Sequence, residues 1–332
     1  MIIDMHAHIF TKGAFNRLKK KHKAHVPRIQ LKGGKHYFYT RNTSGGPWSV
    51  FDGFWDTKRR LENMDNENVD IHVLSNPPYT FCYDSPSDVG LDISKAQNDE
   101  IANIVESHLD RFVGIAVLPL QDVDGSIEEL DRAIKDLGLR GVHIGTNILG
   151  ENLDNVRLWP FYERVQDLDV PIVVHPYNYS ANERMRKYYM RNNVGNPMET
   201  TFAATSVILG GVLEDFPRLK FCWAHGGGNL PYQIGRLDHS YEVRQEPREH
   251  ISKPPSEYFD MMYFDTITHS KPALKYLIES RGSTHVLMGS DYPFDMGIRH
   301  PVALIRDTES LTDEDKAKIL GDNSARIFKI KK

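Results

Sequence analysis

The sequence predicts an α/β protein built as a (β/α)8 TIM barrel. Eight β-rich apolar runs alternate with segments of helical apolar spacing, which indicates parallel strands joined by helices. Several runs end in histidine or aspartate, as expected where barrel strands converge on a catalytic mouth. The predicted strands are residues 2–6, 69–74, 112–117, 141–144, 171–175, 219–225, 262–266 and 285–291. Helix-compatible spacing lies at residues 127–136, 158–166 and 272–279.

The length of 332 residues suits one such barrel with insertions, so we expect a single domain over residues 1–332. Hydrophobic residues form 40% of the chain and charged residues 26%, which is typical of a globular enzyme and unlike a disordered chain. Two connections are too long for plain loops. Residues 11–56 follow strand one and residues 177–197 follow strand five, and we expect both insertions to border the barrel mouth.

The charge and the cysteine content indicate which classes of partner are not expected and which cellular compartment is favoured. The formal net charge is -4 and the basic run at residues 19–21 is short, so no nucleic-acid partner is expected. The apolar stretches are too short for a membrane span, so no membrane partner is expected either. The two cysteines, Cys82 and Cys222, lack the spacing of a disulfide framework or a zinc knuckle. This favours a reducing compartment, and we expect the cytoplasm.

A metal site is predicted by the residues at the strand ends. His6 and His8 are two positions apart on strand one, so both side chains project from the same face and can bind one cation. His175 ends strand five and Asp291 ends strand eight. Nitrogen and oxygen ligands without thiolate suit one divalent ion, with Zn²⁺ our first choice and Mn²⁺, Fe²⁺ or Co²⁺ as alternatives. Taken singly, His175 or Asp291 could equally be structural, and the alternative for His6 and His8 is a polar barrel layer or a hydrogen-bonded pair.

The residues of predicted strand four indicate how many metal ions the site can hold. His143 could bring a further polar group to the mouth, but residues 141–145 contain no lysine. A bridging modified lysine from this strand is therefore impossible, and we expect a mononuclear site.

His225 is a candidate catalytic residue. It ends strand six and precedes Gly226-Gly227-Gly228, which lets the backbone approach the pocket closely. A neutral imidazole beside a cation can take a proton from water and return it. The alternatives are a further metal ligand or a structural histidine. Asp291 could also act in catalysis by orienting the water.

Three further residues are candidate substrate contacts. Phe294 and Trp55 could form aromatic walls for a planar substrate, although a lone aromatic is more often part of a core. Arg236 lies eleven residues after His225 on the helix that should follow strand six, where its guanidinium could bind a substrate carboxylate. From position alone, a surface role for Arg236 is equally compatible.

The chain resembles the amidohydrolase superfamily, and within it the family of 2-amino-3-carboxymuconate 6-semialdehyde decarboxylase. The similarity extends over nearly the whole chain. The segments that carry it are Asp4-Met5-His6-Ala7-His8, Trp55-Asp56, His175-Pro176, Arg184-Met185, Pro197-Met198-Glu199-Thr200, His225-Gly226-Gly227-Gly228, Gly235-Arg236, Pro254-Pro255-Ser256-Glu257-Tyr258 and Gly289-Ser290-Asp291-Tyr292-Pro293-Phe294.

The resemblance implies a (β/α)8 barrel with one divalent metal bound by His6, His8, His175 and Asp291, and a catalytic His225. It also implies nonoxidative decarboxylation of a small-molecule substrate, an unsaturated or aromatic carboxylic acid. In this family Arg236 would reach into the neighbouring subunit to bind a substrate carboxylate, which implies a homodimer.

One position departs from the family pattern. The namesake decarboxylases have a second arginine seven residues before the Trp-Asp pair, where this chain has Trp48. The replacement loses a charge-assisted hydrogen-bonding group and gains stacking surface, so Trp48 becomes a candidate substrate contact and the namesake substrate is in doubt. Arg41, Arg59 or Arg60 are the candidates for compensation.

Decarboxylation of a hydroxylated or amino-substituted aromatic acid, or of a muconate-like acid, is our leading interpretation. The alternative is a metal-dependent hydrolase, in which activated water attacks an amide, a lactone or a ring C–N bond. Hydration of a double bond and a catalytically idle binding barrel are further alternatives.

Overall fold

The computed structural model of the protein describes residues 1–39, 48–177 and 183–331. Its strands within these ranges are β1 Ile3–His8, β2 Arg28–Lys32, β3 Lys35–Tyr39, β4 Trp48–Val50, β5 Ile71–Ser75, β6 Phe112–Gly114, β7 Ala116–Val117, β8 Val142–Gly145, β9 Pro171–His175, β10 Lys220–Trp223, β11 Tyr263–Asp265 and β12 Val286–Leu287.

The helices lie mainly between these strands. They are α1 Lys12–Leu18, α2 Thr57–Glu67, α3 Ser87–Ser107, α4 Val123–Lys135, α5 Trp159–Leu168, α6 Asn196–Leu209, α7 Val212–Asp215, α8 Leu230–Val243, α9 Pro255–Phe259, α10 Lys271–Arg281, α11 Pro301–Arg306, α12 Asp313–Ala317 and α13 Asn323–Ile327. Among the described residues, no helix combines the length and the apolar character needed to cross a membrane.

The parallel strands form a closed barrel. β1 pairs with β5 and β5 with β6, and a second run of parallel pairing leads from β7 through β8, β9, β10 and β11 to β12. Ile115 separates β6 from β7, so these two strands together are the third strand of the barrel. The last strand returns to the first through the hydrogen bond from Met5 N to Met288 O, 2.9 Å. The predicted (β/α)8 fold is confirmed, and each predicted strand segment overlaps an observed strand.

Alternation along the strands divides the apolar residues between two cores. Ile172 and Val174 of β9 belong to the large cluster between the strands and the helices. Val173 belongs to a smaller cluster inside the barrel, together with Cys222 and Leu287. A packed interior below the mouth leaves the carboxyl ends of the strands as the place for a site.

The chain between β1 and α2 carries additional structure. It contains α1 and an antiparallel sheet in which β3 pairs with β2 and with β4. Phe38 of this sheet packs in a cluster with Phe10, Phe54 and Cys82, and Cys82 is buried. The backbone of Trp48 pairs with that of Phe38, whereas the Trp48 side chain and Arg41 lie outside the described part of the chain.

The connection after β9 lies only partly within the described residues, since residues 178–182 are outside them. Its described end forms a short 3-10 helix, Glu183–Met185, and a π-helical turn, Arg191–Gly195, which leads directly into α6.

Two strands end at least two residues earlier than the sequence predicts. β10 ends at Trp223, two residues before His225, and β12 ends at Leu287, four residues before Asp291. The reason is backbone geometry, because His225 has φ 55° and Asp291 has φ 61°, values that a β-strand does not contain. Each of these side chains is therefore presented by a turn beyond the strand, whereas β1 extends further than predicted and includes His8.

Candidate metal centre and active site

Four side chains from two barrel strands, β1 and β9, and from the turn after β12 meet at the mouth of the barrel. One ligand atom from each of His6, His8, His175 and Asp291 lies within 4.8 Å of all the others, and all four residues are buried. The Nε2 atoms of His6 and His8 are 3.0 Å apart. Asp291 Oδ1 lies 3.1 Å from His8 Nε2 and 3.4 Å from His6 Nε2. The structure thus brings together the four residues that the sequence predicts as metal ligands.

The three imidazoles are anchored in the same way, because each Nδ1 has a protein hydrogen-bond partner. The partners are Asp265 Oδ2 at 2.7 Å for His6, Ser75 Oγ at 3.0 Å and Asn76 O at 3.2 Å for His8, and Pro176 O at 3.0 Å for His175. Anchoring of Nδ1 fixes the ring orientation and leaves Nε2 for a metal.

The donor set fits a divalent cation. His175 Nε2 is buried and has no hydrogen-bond partner among the described residues. Buried polar atoms without partners are costly unless a ligand satisfies them. Three imidazole nitrogens and one carboxylate oxygen, without thiolate, suit Zn²⁺, Mn²⁺ or a similar ion.

The electrostatics of the group also favour a cation. Burial would raise the pKa of Asp291, but its interactions with His225 and His8 and the charge of His6 outweigh burial and hold its pKa well below the usual 3.8. Burial lowers the pKa of His8 to about 4 and, with its neighbouring histidines, that of His175 well below 6.5. A carboxylate at Asp291 and neutral imidazoles at His8 and His175 are the protonation states that metal binding requires. His6 differs: burial would lower its pKa, but its hydrogen bond to Asp265 and the charges of Asp291, Asp265 and Asp4 outweigh burial and raise its pKa above 6.5, so a metal bound there would displace a proton.

His225 lies beside this group rather than within it. Its Nε2 is 3.6 Å from Asp291 Oδ2, and its ring centre is 5.1 Å from that of His175. The turn that presents it needs glycine, because a Cβ on Gly227 would lie 2.6 Å from the ring of Phe264. His225 is therefore close enough to exchange protons with a molecule bound at the centre.

Two cavities meet at Asp291. The larger, about 700 Å³, has aromatic walls and reaches His175 as well as Asp291. Its aromatic side chains are Phe38, Phe51, Phe54, Tyr79, Tyr189, Tyr292 and Phe294. The smaller, about 560 Å³, is lined by His225 and by polar residues such as Asn229 and Thr268. Tyr189 and Asn192, from the connection after β9, also line the larger cavity, so both long connections contribute residues beside the centre.

The predicted substrate contacts have different positions. Phe294 lines the larger cavity, with its ring centre 5.2 Å from that of His8. Trp55 does not line either cavity; it packs against the ring of His36, with Lys12 Nζ 4.7 Å from its own ring centre. Arg236 is on α8, as predicted, but it is exposed and does not line either cavity of this chain.

Arg59 and Arg60, the two described arginines that were candidates for compensation, do not line either cavity. Arg59 is exposed and pairs with Glu62 at 3.2 Å. Arg60 is fully buried and donates hydrogen bonds to the carbonyls of His8 and Gly53. Among the described residues that line the larger cavity, Arg299 is the only arginine or lysine.

Sequence reasoning missed the carboxylates that support the ligands. Asp4 Oδ1 accepts hydrogen bonds from the amides of His6, 3.0 Å, and Ser290, 3.1 Å, and so ties β1 to the turn of Asp291. Asp265 accepts the hydrogen bond from His6 described above. Both positions carried a signal, since Asp4 is two residues before His6 and Asp265 ends a barrel strand, as the predicted ligands do.

His143 is also close to the centre. It is fully buried, its ring centre is 5.6 Å from that of His8, and neither ring nitrogen has a hydrogen-bond partner among the described residues. Its ligand atoms do not belong to the group of four.

Comparison with known proteins defines the family of this barrel. The model of the amidohydrolase family Amidohydro_2 matches residues 3–330. The 2-amino-3-carboxymuconate-6-semialdehyde decarboxylase of Dictyostelium discoideum is 37% identical over 275 residues, which cover 82% of this chain and 77% of the relative. The chain belongs to the amidohydrolase family, and its resemblance to this decarboxylase branch is confirmed.

Solved structures share the fold. The 5-carboxyvanillate decarboxylase of Sphingomonas paucimobilis superposes with a TM-score of 0.84 at 24% identity, covering 99% of each chain. A dihydroxybenzoic acid decarboxylase of Polaromonas sp. JS666, crystallised with manganese and 2-nitroresorcinol, superposes with a TM-score of 0.80 at 23% identity, covering 99% of this chain and 97% of the other. These relatives are carboxy-lyases.

Proposed function

We propose that the protein is a metal-dependent, nonoxidative decarboxylase of a hydroxy- or amino-substituted aromatic carboxylic acid, or of a muconate-like acid. The observation that carries the proposal is the position of the His225–Asp291 pair, beside the four-residue metal group and at the meeting point of the two cavities. The decarboxylase relatives support the reaction type.

In this proposal His6, His8, His175 and Asp291 bind the metal. A divalent ion held there supplies positive charge that attracts the carboxylate and the neighbouring oxygen of the substrate. The bond between the substrate carbon and its carboxylate then breaks, the electron pair stays on that carbon, and CO2 leaves. The carbon must gain a proton, which we assign to His225, with Asp291 Oδ2 orienting the imidazole from 3.6 Å.

The walls of the larger cavity favour an aromatic substrate over an acyclic one. Phe294 is in edge-to-face contact with both Phe54 and Tyr79, and its ring centre lies 5.1 Å from that of Phe54 and 6.0 Å from that of Tyr79. Aromatic rings arranged in this way stack well against another planar ring. A muconate-like substrate with several carboxylates would instead require more cationic groups than Arg299 among the described lining residues.

A homodimer is part of the proposal. Arg236 is exposed one turn after Tyr232, which is 79% exposed, and the Tyr232 ring lies 6.3 Å from that of Tyr276. Exposed aromatics next to an arginine are typical of an interface core. We propose that Arg236 crosses this interface and binds a substrate carboxylate in the site of the other subunit.

Further parts of the proposal concern the metal, the walls, the domain and the compartment. We propose Zn²⁺ as the resident ion, on the chemistry of the ligands. Trp48 and Trp55 stay candidate substrate contacts alongside Phe294. We assign residues 1–332 to one domain, and we propose the cytoplasm because both cysteines are buried and do not form a disulfide.

The deciding experiment is a substrate screen with protein loaded with Zn²⁺ or Mn²⁺. The panel contains hydroxybenzoates, aminobenzoates, picolinates and muconates, and both CO2 release and substrate absorbance are followed. We expect one substituted benzoate to release stoichiometric CO2. Consumption of a compound without CO2, with water incorporated into the product, would contradict decarboxylation and indicate a hydrolase if a bond is cleaved, or a hydratase if water is added to a double bond.

A further inference from the structure

The carboxylate of Asp265 joins two parts of the proposed site that are far apart in the chain. Asp265 is the last residue of β11 and is fully buried. Its Oδ2 accepts hydrogen bonds from His6 Nδ1 at 2.7 Å and from the His225 amide at 2.9 Å. Its Oδ1 accepts from the amides of Gly226 at 2.8 Å and Ile267 at 2.9 Å. Each oxygen therefore serves two donors.

These four hydrogen bonds have different consequences. The bond to Nδ1 orients the His6 ring and keeps its Nε2 towards the metal group. The bonds to the amides of His225 and Gly226 hold a turn in which both residues have positive φ, 55° and 61°. A left-handed conformation at a residue other than glycine costs about 1–2 kcal/mol, so this turn needs such external hydrogen bonds.

We infer that Asp265 is a positioning residue that couples the orientation of the metal ligand His6 to that of the catalytic His225. The inference rests on the proposed function for the roles of these two histidines. The coupling has a simple physical basis, because His6 Nδ1 and the His225 amide share a single oxygen atom. Any movement of that oxygen as His6 engages a cation also moves the backbone that carries the His225 ring.

Asparagine is the informative substitution at this position, because it keeps the shape and removes one acceptor. In Asp265→Asn the remaining oxygen can serve one pair of donors, and the amide NH2 must face the other pair. Two donors then oppose the NH2 group whichever way the side chain is turned. The variant therefore disrupts one pair of donors without changing side-chain volume, and if the two sides are coupled through this carboxylate the effect reaches both the Gly226 amide and the His6 ring.

Glu129→Gln is the matched control. Glu129 is a fully buried carboxylate on α4, and it accepts hydrogen bonds from Asn98 Nδ2 at 2.7 Å and Arg132 Nε at 2.7 Å. It is outside the candidate site, so Glu129→Gln reports the general effect of neutralising a buried carboxylate.

The sequence offers a specific probe of the coupled turn. His225-Gly226 is the only His-Gly pair in the chain, so labelling histidine with ¹³C at the carbonyl and glycine with ¹⁵N gives a single correlation, that of the Gly226 amide. The Gly226 amide donates directly to Asp265 Oδ1. Its chemical shift and its hydrogen-exchange rate therefore report on the coupling without any substrate.

In the metal-free protein, we expect the Gly226 amide to exchange about tenfold faster in Asp265→Asn than in the wild type, as for the loss of a hydrogen bond to a charged group. Titration with Zn²⁺ should shift this amide signal in the wild type and in Glu129→Gln. In Asp265→Asn the Zn²⁺ dissociation constant, measured by chelator competition, should rise about 10- to 100-fold.

Wild-type exchange at Gly226 together with wild-type Zn²⁺ affinity in Asp265→Asn would overturn the inference. Equal losses in Glu129→Gln would also overturn it, because they would show a general stability effect. These measurements use no substrate, so they decide the coupling even if the proposed decarboxylation fails. Once a substrate is known, Asp265→Asn should lower kcat and leave KM within about threefold, since His225 and not the cavity wall is displaced.

Discussion

The guanidinium carbon of Arg60 lies 4.7 Å from the centre of the ring of Tyr292, and Tyr292 directly follows Asp291 in the chain. Arg60 is fully buried, and its Nη1 lies 3.2 Å from His72 Nδ1. Burial lowers the pKa of Arg60 to about 10, so it stays cationic at neutral pH. A cation from α2 thus supports both β1, through the His8 carbonyl, and the turn that presents Asp291.

Arg60→Lys should therefore destabilise the protein by about 3 kcal/mol, because an ammonium cannot replace the planar set of hydrogen bonds. Urea unfolding measures this loss. Its neighbour provides the control, since Arg59→Lys alters only an exposed pair with Glu62 and should change the free energy of unfolding by less than about 0.5 kcal/mol. Equal effects in the two variants would mean that the buried contacts of Arg60 contribute nothing.

Substitutions of Asp291 and of His225 should have different effects on metal content and on turnover. Asp291→Ala removes a proposed ligand and should lower metal occupancy, measured by elemental analysis after dialysis. His225→Asn should keep most of the metal but abolish turnover, because His225 lies outside the group of four. Equal metal loss in His225→Asn would make this residue a ligand, and a loaded, active Asp291→Ala would remove Asp291 from the site.

Subunit mixing tests the role of Arg236. Arg236→Ala and His225→Asn should each be inactive alone, yet their mixture should recover about a quarter of wild-type activity, because half of the randomly formed dimers then contain one intact site. A mixture of His225→Asn with His175→Ala should recover none. Each of these residues acts in the site of its own subunit, so both sites of a mixed dimer are defective. Absence of rescue in the first mixture would exclude a shared site.

The wall of the larger cavity can be tested at Phe294. Phe294→Ala should raise KM about 10- to 100-fold with kcat nearly unchanged, because stacking stabilises the bound substrate and the transition state alike. Phe294→Leu should give a smaller increase in KM. A fall in kcat with unchanged KM would mean that Phe294 acts on the chemical step instead.

His72 should make the stability of the metal-free protein depend on pH. Burial, together with the charges of Arg60 and Arg111, holds the pKa of His72 well below 6.5. Below pH 6.5 the unfolded chain therefore binds a proton that the folded protein excludes, and stability falls as the pH falls. His72→Gln should reduce this slope by about 1.4 kcal/mol per pH unit. Urea unfolding at pH 5, 6 and 7 measures it, and identical slopes would contradict the prediction.

The strand ends explain why most of the site could be predicted from the sequence. His6, His8 and His175 follow β-branched or apolar runs, and a barrel brings the carboxyl ends of its strands together whatever their separation in the chain. The fold and the convergence of the ligands can therefore be predicted from two features alone, the periodicity of the strands and the chemistry of the residues at their ends.

The supporting contacts could not be predicted in this way. Ser290 and Asp4 are 286 residues apart and meet only because β12 closes against β1. Whether an aromatic such as Trp55 faces the cavity or packs beneath Lys12 depends on the connection after β1, whose path has no periodic signal. The turn conformations of His225 and Asp291 likewise come from tertiary hydrogen bonds, and local preference would not select them.

The reactivity of the two buried cysteines can show which region of the protein opens first. Cys222 lies inside the barrel, where burial raises its pKa, and Cys82 packs with Phe38 of the inserted sheet. A bulky thiol reagent reaches each sulfur only when the surrounding region opens. Modification of Cys82 before Cys222 would show that the region around the inserted sheet loosens while the barrel stays closed; simultaneous modification would show that both open as one cooperative unit.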